Sequence, residues 1–340
     1  MNNNFIKKQI AKPGMRQVLT VFAGLVVLCI AFGIINPMFF SSRNISNLLR
    51  QIAPIIMIGI AQSYVLITGN IDLSIGSVVG MSTMISATLM TKGMGPWAAT
   101  LITVIACLAV GVANGYLVAG FKLPPFIATL GTMTICRGIA QIANGNYNTG
   151  AINTIAKTAA SVDKFREFFY YGKTLGIYNG VWIALVLFLI FYFILNKTRS
   201  GRYLYALGSN PEAARLSGIS VLKTTTIAYV VSAFCSCLVG IIQCCSAGMG
   251  AMDAGNSYEM YGVAASVIGG VSTLGGTGRL IGTVVGAAIW SVLQNGLQFA
   301  QAPVAIRNIV IGIIVIVAVL LDIIIRRGTP VTRKAKKKNA

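Results

Sequence analysis

The chain breaks into ten apolar runs, each near the roughly 20 residues a helix needs to cross the hydrocarbon core of a bilayer. They are Val18–Ile35, Ile52–Gly69, Leu73–Met90, Pro96–Gly120, Pro125–Ala143, Val181–Leu195, Thr224–Ser246, Tyr258–Leu274, Leu280–Phe299 and Val304–Ile325. Hydrocarbon offers the backbone no hydrogen-bond partners, so runs of this length can only be helices. Charge agrees with that reading: 10% of the 340 residues are Asp, Glu, Lys or Arg, where a soluble domain carries about 25%. The expected fold is an all-α polytopic membrane protein. The first run follows Lys7, Lys8, Lys12 and Arg16 as a signal peptide would. It ends at Asn36-Pro37 without a small-residue cleavage site, so an uncleaved first helix is expected.

Basic residues set the orientation, because cytoplasmic loops retain Lys and Arg. With the N-terminus inside, 18 of the 27 basic residues fall on the cytoplasmic side and 8 outside, leaving Arg137 within a span. Ten spans then return the C-terminus to the cytoplasm. This gives a basic N-terminus over 1–17, one transmembrane domain over 18–325 and a basic tail over 326–340. The domain carries an external loop over 145–180 and a cytoplasmic loop over 196–223. In the external loop, Phe165, Phe168, Phe169 and Tyr170 suggest a short interfacial helix. The net charge of +20 would suit nucleic acid if it covered one solvated face. Here it flanks apolar runs, and anionic lipid is the expected partner.

The residues exclude much chemistry. The chain has no His, which rules out a Ser-His triad, a His-ligated metal site and a histidine proton relay. Its cysteines, Cys29, Cys107, Cys136, Cys235, Cys237, Cys244 and Cys245, lie in or beside apolar segments, where Cys acts as a small hydrophobe. Inert packing is expected of them, a disulfide at Cys244 or Cys245 being the lesser reading. No metal and no cofactor is expected on this chain.

Polar groups inside spans are costly and so carry information. The candidates for a polar path are Gln62, Asn70, Asp72, Ser74, Asn114, Thr129, Thr132, Arg137, Gln294 and Asn295. Two glycine-containing breaks stand out. In the first, Ile67–Gly76, Gly69 and Asn70 can end one helix, Asp72 or Ser74 can cap the next, and Gly76 closes the motif. Two readings stand side by side: a tight cytoplasmic turn with a capping aspartate, or a broken helix beside a transport path. The second break, Ile268–Arg279, contains Gly269, Gly270, Gly275 and Gly276. It faintly resembles a phosphate-binding loop, but Gly276 occupies the position of the required Lys. A close-packed cytoplasmic turn is expected instead. Spans two to five and seven to ten start on opposite faces with one break each, which suggests an inverted repeat.

The cytoplasmic loop contains a capped helix. Asn210 suits the N-cap, Pro211 the first helical position, Glu212 the first turn and Gly218 the C-terminal stop, with Ala213, Ala214 and Arg215 between. Exposed Arg215 and Leu216 favour docking to a soluble partner.

At these residues the sequence resembles the membrane permease of bacterial ABC importers for monosaccharides, the ribose/xylose/galactose group. Glu212-Ala213-Ala214 with Gly218 matches the loop by which importer permeases engage their ATPase. Longer strings carry the resemblance further: Thr68–Ser77, Pro125–Met133, Gly201–Ile219 and the stretch from Tyr258 to Leu297. It covers about residues 36–325. Two departures are Gly69-Asn70, where the family has Gly-Gly or Ser-Gly, and Tyr261, where it usually has an acidic residue. The resemblance implies an ABC ATPase subunit that binds ATP and Mg, an extracytoplasmic sugar-binding protein, and a permease homodimer or heterodimer with a paralogue. It implies no catalysis by this chain. An importer for a nucleoside, amino acid or signalling molecule remains an alternative. An ion-coupled transporter and an intramembrane enzyme fit worse, since Asp72 sits at the edge of a span, Asp253, Glu259 and Asp322 lie near span ends, and no base is paired with a nucleophile.

Overall fold

The protein is described here by a computed structural model covering residues 13–327; the segment before Pro13 and the tail after Arg327 lie outside the described residues. The lipid-facing role expected of those basic ends therefore falls largely outside them. The elements in chain order are α1 Pro13–Ile35, α2 Ser42–Ile67, α3 Ile75–Thr91, α4 Pro96–Gly115, α5 Pro125–Ile142 and α6 Ala156–Arg166. A small hairpin of β1 Lys173–Thr174 and β2 Ile177–Tyr178 follows. Then come α7 Asn179–Lys197, α8 Arg199–Ser209, α9 Pro211–Leu216, α10 Val221–Ala247, α11 Tyr258–Ile268, α12 Leu280–Phe299 and α13 Val304–Arg327.

Among the described residues, six helices are long and apolar enough to cross a membrane: those over Val18–Ile35, Ser42–Ile67, Pro96–Gly120, Asn179–Lys197, Val221–Ala247 and Leu280–Phe299. The chain is thus a multi-pass membrane protein. α2 and α10 are the central pair, largely enclosed by protein, whereas α1, α4 and α7 turn most of their surface outward. The two run antiparallel. Tyr229 near the start of α10 donates to the Ile71 carbonyl beyond the end of α2 at 3.0 Å, while Gln243 near the end of α10 lines a cavity with Gln51 near the start of α2.

Packing around this pair is reciprocal. α2 packs against α11 and α12, and α10 packs against α3 and α4. Likewise α3 contacts α4 and α5, and α11 contacts α12 and α13. Exchanging α2–α5 with α10–α13 leaves that set of contacts unchanged. Small residues make the close approaches possible: a Cβ on Gly240 of α10 would lie 2.7 Å from the Ser82 Cβ of α3, and one on Gly111 of α4 would lie 2.9 Å from the Ala233 Cβ of α10. All seven cysteines are free thiols, six of them buried.

The structure corrects three expectations. The run Tyr258–Leu274 is not one helix: α11 has only 11 residues, about 16 Å of rise. Positive φ at Gly270, Gly275 and Gly276 then turns the backbone. Apolar composition made the whole run look like a span although its second half cannot stay helical. Gly76 is not a break but lies in the first turn of α3, where its missing side chain leaves room for the Gly255 carbonyl and the Glu259 carboxylate. The loop over 196–223 holds two helices rather than one, since Arg199–Ser209 is helical as well. A short helix is present in the loop over 145–180 as α6, prolonged by a wide turn over Glu167–Tyr171 that carries Phe168, Phe169 and Tyr170.

Candidate functional site

A cavity of about 490 Å³ opens between the first half of α2 and the facing ends of α10, α11 and α12, within the roughly 300–1,000 Å³ range of small-molecule sites. α2 contributes Asn47, Arg50, Gln51, Pro54 and Ile55, residues three to four apart that share one helix face. Pro54 has no N–H to give the Arg50 carbonyl, so that oxygen is left without its helical partner at the wall. α11 and α12 contribute a ladder of rings, Tyr258 to Tyr261 at 5.2 Å and Tyr261 to Trp290 at 5.0 Å between centroids. Amides complete the lining: Gln51, Gln294, and Gln243, whose Nε2 donates to the Tyr258 hydroxyl.

The Arg50 guanidinium stacks 3.4 Å from the Tyr178 ring centroid and 4.7 Å from that of Tyr170. These contacts hold its planar group beside the cavity. Two buried polar atoms of the lining, Arg50 Nε and Ser291 Oγ, have no partner, although Ser291 is only 3% exposed. Flat apolar faces beside amides and orphaned donors are the surface that a ring-shaped polyhydroxylated solute matches. A second cavity of about 460 Å³ adjoins the first, sharing Asn47 and Gln51 and adding Asn36, Asn44, Asn295, Gln298 and Gln301. Asn44 and Asn295 exchange side-chain hydrogen bonds of 3.0 and 3.1 Å across it.

Of the polar residues singled out in the sequence, Gln294 lines the first cavity and Asn295 the second. Asp72, Ser74, Asn114 and Thr132 instead form a closed buried network. Asp72 Oδ1 accepts from the Ser74 N–H at 2.8 Å and the Ser74 hydroxyl at 2.6 Å, and Oδ2 accepts from the Ser232 hydroxyl at 2.7 Å. Asn114 donates to Ser74 Oγ at 3.0 Å and accepts from Thr132 at 2.8 Å. The carboxylate therefore closes the N-terminus of α3 and ties it to α10. Asn70 donates to the Thr68 hydroxyl, and Thr129 donates to the Pro125 carbonyl of its own helix. Arg137 donates to the carbonyls of Ala254 at 2.8 Å and Met252 at 3.2 Å, pinning the loop before α11. Gln62 is fully buried and neither of its amide atoms has a partner.

At the other end of α2, about 18 Å beyond Ile55, both glycine breaks meet α8. Gly69 ends α2 with φ +78°, and the Ile67 carbonyl accepts from the Gly276 N–H at 2.9 Å. Gly208 of α8 sits on that bond: a Cβ there would collide with the Ile67 oxygen and lie 2.6 Å from the Gly276 nitrogen. A Cβ on Gly275 would lie 2.8 Å from Gly69 Cα and 2.9 Å from the Gly208 oxygen. Tyr205 of α8 donates to the Gly278 carbonyl at 2.8 Å. Burial pushes its phenol up to about 12, so it stays a donor at physiological pH.

The chain runs from this junction directly into α9. Asn210 accepts from the Ala213 N–H at 3.0 Å, Pro211 takes the first helical position, and Gly218 follows with φ +79°. Ala214 packs inward, Leu216 is 81% exposed, and Glu212 pairs with Arg215 at 3.1 Å on the surface. Such an exposed pair contributes at most about 0.5 kcal/mol. Its side chains are therefore free to serve a partner.

A multi-pass membrane protein with a polar cavity at one end of its central helix and a capped, exposed helix at the other has the architecture of a transport permease. Residues 44–319 match the family described as branched-chain amino acid transport system / permease component, and the chain belongs to that family. The ribose import permease of Bacillus subtilis is 36% identical over 93% of this chain and 96% of its own length. The D-allose transport system permease of Escherichia coli is 33% identical, covering 89% and 90%. The fructose import permease of Rhizobium meliloti is 34% identical, covering 89% and 84%. No solved structure matches the chain.

Sequence reasoning missed most of the cavity. Trp290 and Gln51 were not singled out in the sequence, Tyr258 and Tyr261 entered only through the family pattern, and Arg50 only through its place among the basic residues outside. The spacing Asn47, Gln51, Ile55 along one helix face was the available signal.

Proposed function

We propose that the chain is the transmembrane permease subunit of an ATP-driven importer that passes a monosaccharide, a ribose-like pentose or a hexose, across the bacterial inner membrane. The observation that carries this is the cavity: the tilted ring ladder of Tyr258, Tyr261 and Trp290 offers aromatic surface to a sugar ring, and the amides around it offer both donors and acceptors to its hydroxyls. The relatives named for ribose, allose and fructose support the same class. Cytoplasmic termini and an inverted repeat of α2–α5 with α10–α13, in which the short α11 and the glycine turn after it take the place of a full span, suit the reciprocal packing and the antiparallel central pair. The cavity then faces outward, where an extracytoplasmic binding protein delivers the sugar.

α9 faces inward and docks an ABC ATPase subunit, which binds and hydrolyses ATP with Mg. Two permease chains, identical or paralogous, make up the membrane unit. This chain forms and breaks no covalent bond. Its helices alternate between outward-open and inward-open packings whose balance ATP binding shifts. Purification from native membranes in mild detergent tests the reading: an ATPase copurifying at about one per permease is expected, with D-ribose or hexose uptake in proteoliposomes requiring ATP. Uptake driven by an ion gradient alone, with no ATPase present, refutes it.

A further inference from the structure

The face of α2 that lines the cavity through Asn47, Gln51 and Ile55 continues at the same spacing to Ile58 and Gln62. Ile58 and Gln62 are fully buried. Opposite them, α11 passes from its cavity-lining Tyr258 and Tyr261 to Gly262, which has no side chain. A Cβ on Gly262 would lie 2.9 Å from Ile58 Cγ2 and 3.2 Å from Gln62 Cβ. Two helices thus close over Gln62 with only a glycine on one side, and a small separation of α11 from α2 exposes the amide.

The unpaired state of Gln62 is local. One residue on, Ser63 is bonded to Ser266 at 3.0 Å and to Thr283 at 2.8 Å, and Ser266 donates to the Gly59 carbonyl at 3.0 Å. This neighbourhood satisfies its hydroxyls and leaves both atoms of the amide alone, in a position where a methionine of similar length would leave no polar group unmet. Native proteins retain such a group when something else uses it.

We propose that Gln62 is an inner way-station for the sugar, an amide that takes the solute's hydroxyls between the cavity and the glycine junction when α11 moves off α2. Ile55 and Ile58 form the apolar seal above it, and Gln62 lies about 10 Å below Ile55 along the helix. One N–H₂ and one carbonyl oxygen match vicinal hydroxyls, each of which both donates and accepts. The proposal rests on the cavity being the sugar's outer site.

The test uses the whole transporter in proteoliposomes, with ATP and binding protein, and labelled D-ribose, D-allose, D-fructose and D-galactose as probes. Gln62→Met and Tyr261→Ala are compared with the unmodified chain. For Gln62→Met, uptake is expected to fall about tenfold in kcat/KM, while thermal stability holds or rises because a buried orphan is removed. Unchanged uptake in Gln62→Met with loss in Tyr261→Ala overturns the way-station and spares the cavity reading. Unchanged uptake in both overturns the cavity reading and the way-station with it. Gln62→Cys supplies a second readout if the methionine variant fails to assemble. Reaction with a small methanethiosulfonate reagent only during ATP turnover, slowed by the transported sugar, supports the proposal. A thiol unreactive in every state overturns it.

Discussion

Gly208→Ala tests whether α8 is locked onto the two helix breaks. The added methyl group would collide with the Ile67 oxygen and lie 2.6 Å from the Gly276 nitrogen, the two ends of a 2.9 Å hydrogen bond. Neither atom belongs to a flexible side chain, so α8 must shift or the bond must open. Overpacking costs about 1–3 kcal/mol, and leaving the bonded pair unmet costs about 1–3 kcal/mol more. Against this, Ala gains about 1 kcal/mol over Gly in a helix. The net expectation is destabilisation by about 1–5 kcal/mol, opposite in sign to Gly→Ala in an unobstructed helix. The assay is thermal unfolding of the purified permease together with ATP hydrolysis stimulated by the sugar-loaded binding protein in the assembled complex. Lower thermal stability and reduced stimulation are expected. A variant as stable as the parent or more so, with full stimulation, refutes the junction.

Gly131→Ala is the matched control. No atom lies within 4 Å of a Cβ built there, so stability should rise by about 0.5–1 kcal/mol, as read by thermal unfolding, with transport unchanged. Asp72→Ala removes the acceptor of three hydrogen bonds and should cost about 2–4 kcal/mol, whereas Asp72→Asn keeps a capping oxygen and should cost less than about 1 kcal/mol. Transport retained in the Asn variant and lost in the Ala variant marks a cap; transport lost in a stable, fully inserted Asn variant means the charge itself is used. Glu212→Lys should leave membrane insertion and stability unchanged, since the lost pair is exposed. It should also reduce stimulated ATP hydrolysis; full stimulation would sink the coupling role of α9.

What the sequence revealed follows how local each signal is. The caps of α9 were legible because Asn210, Pro211 and Gly218 act on their own backbone within one turn. Six of the ten apolar runs were legible as spans because their length and apolar content answer to the solvent and not to a neighbour. α8 was hidden by Arg199, Ser200 and Arg202, which read as loop, although Gly201, Leu204 and Leu207 bury a helical face. Tyr261 was noticed only as a departure from the family pattern. Its place in the ring ladder depends on Trp290 of another helix, a pairing no local pattern encodes. Asp72 allowed two readings because its decisive partner, Ser232, lies 160 residues away.

These long-range pairings converge on α2. Its first turns carry Asn47 and Gln51 into the cavity. Its last carbonyl is held by Gly276 and overlain by Gly208, directly before α9. Beyond Pro54 the hydrogen-bond ladder of α2 is uninterrupted and stiff along its axis, whereas the glycine turns at its end can change φ and ψ at little cost. If α9 docks an ATPase as proposed, its motion would reach α8 first and the Ile67–Gly276 bond next, and arrive at the cavity through α2 and α11 as a change in their separation. Small residues set that separation: a Cβ on Gly262 would meet Ile58 and Gln62 of α2, and one on Gly59 would lie 3.4 Å from the Ala265 Cβ of α11. A lever of this kind opens one end of the path as it closes the other. Alternating access needs no charged residue within the bilayer core to achieve it.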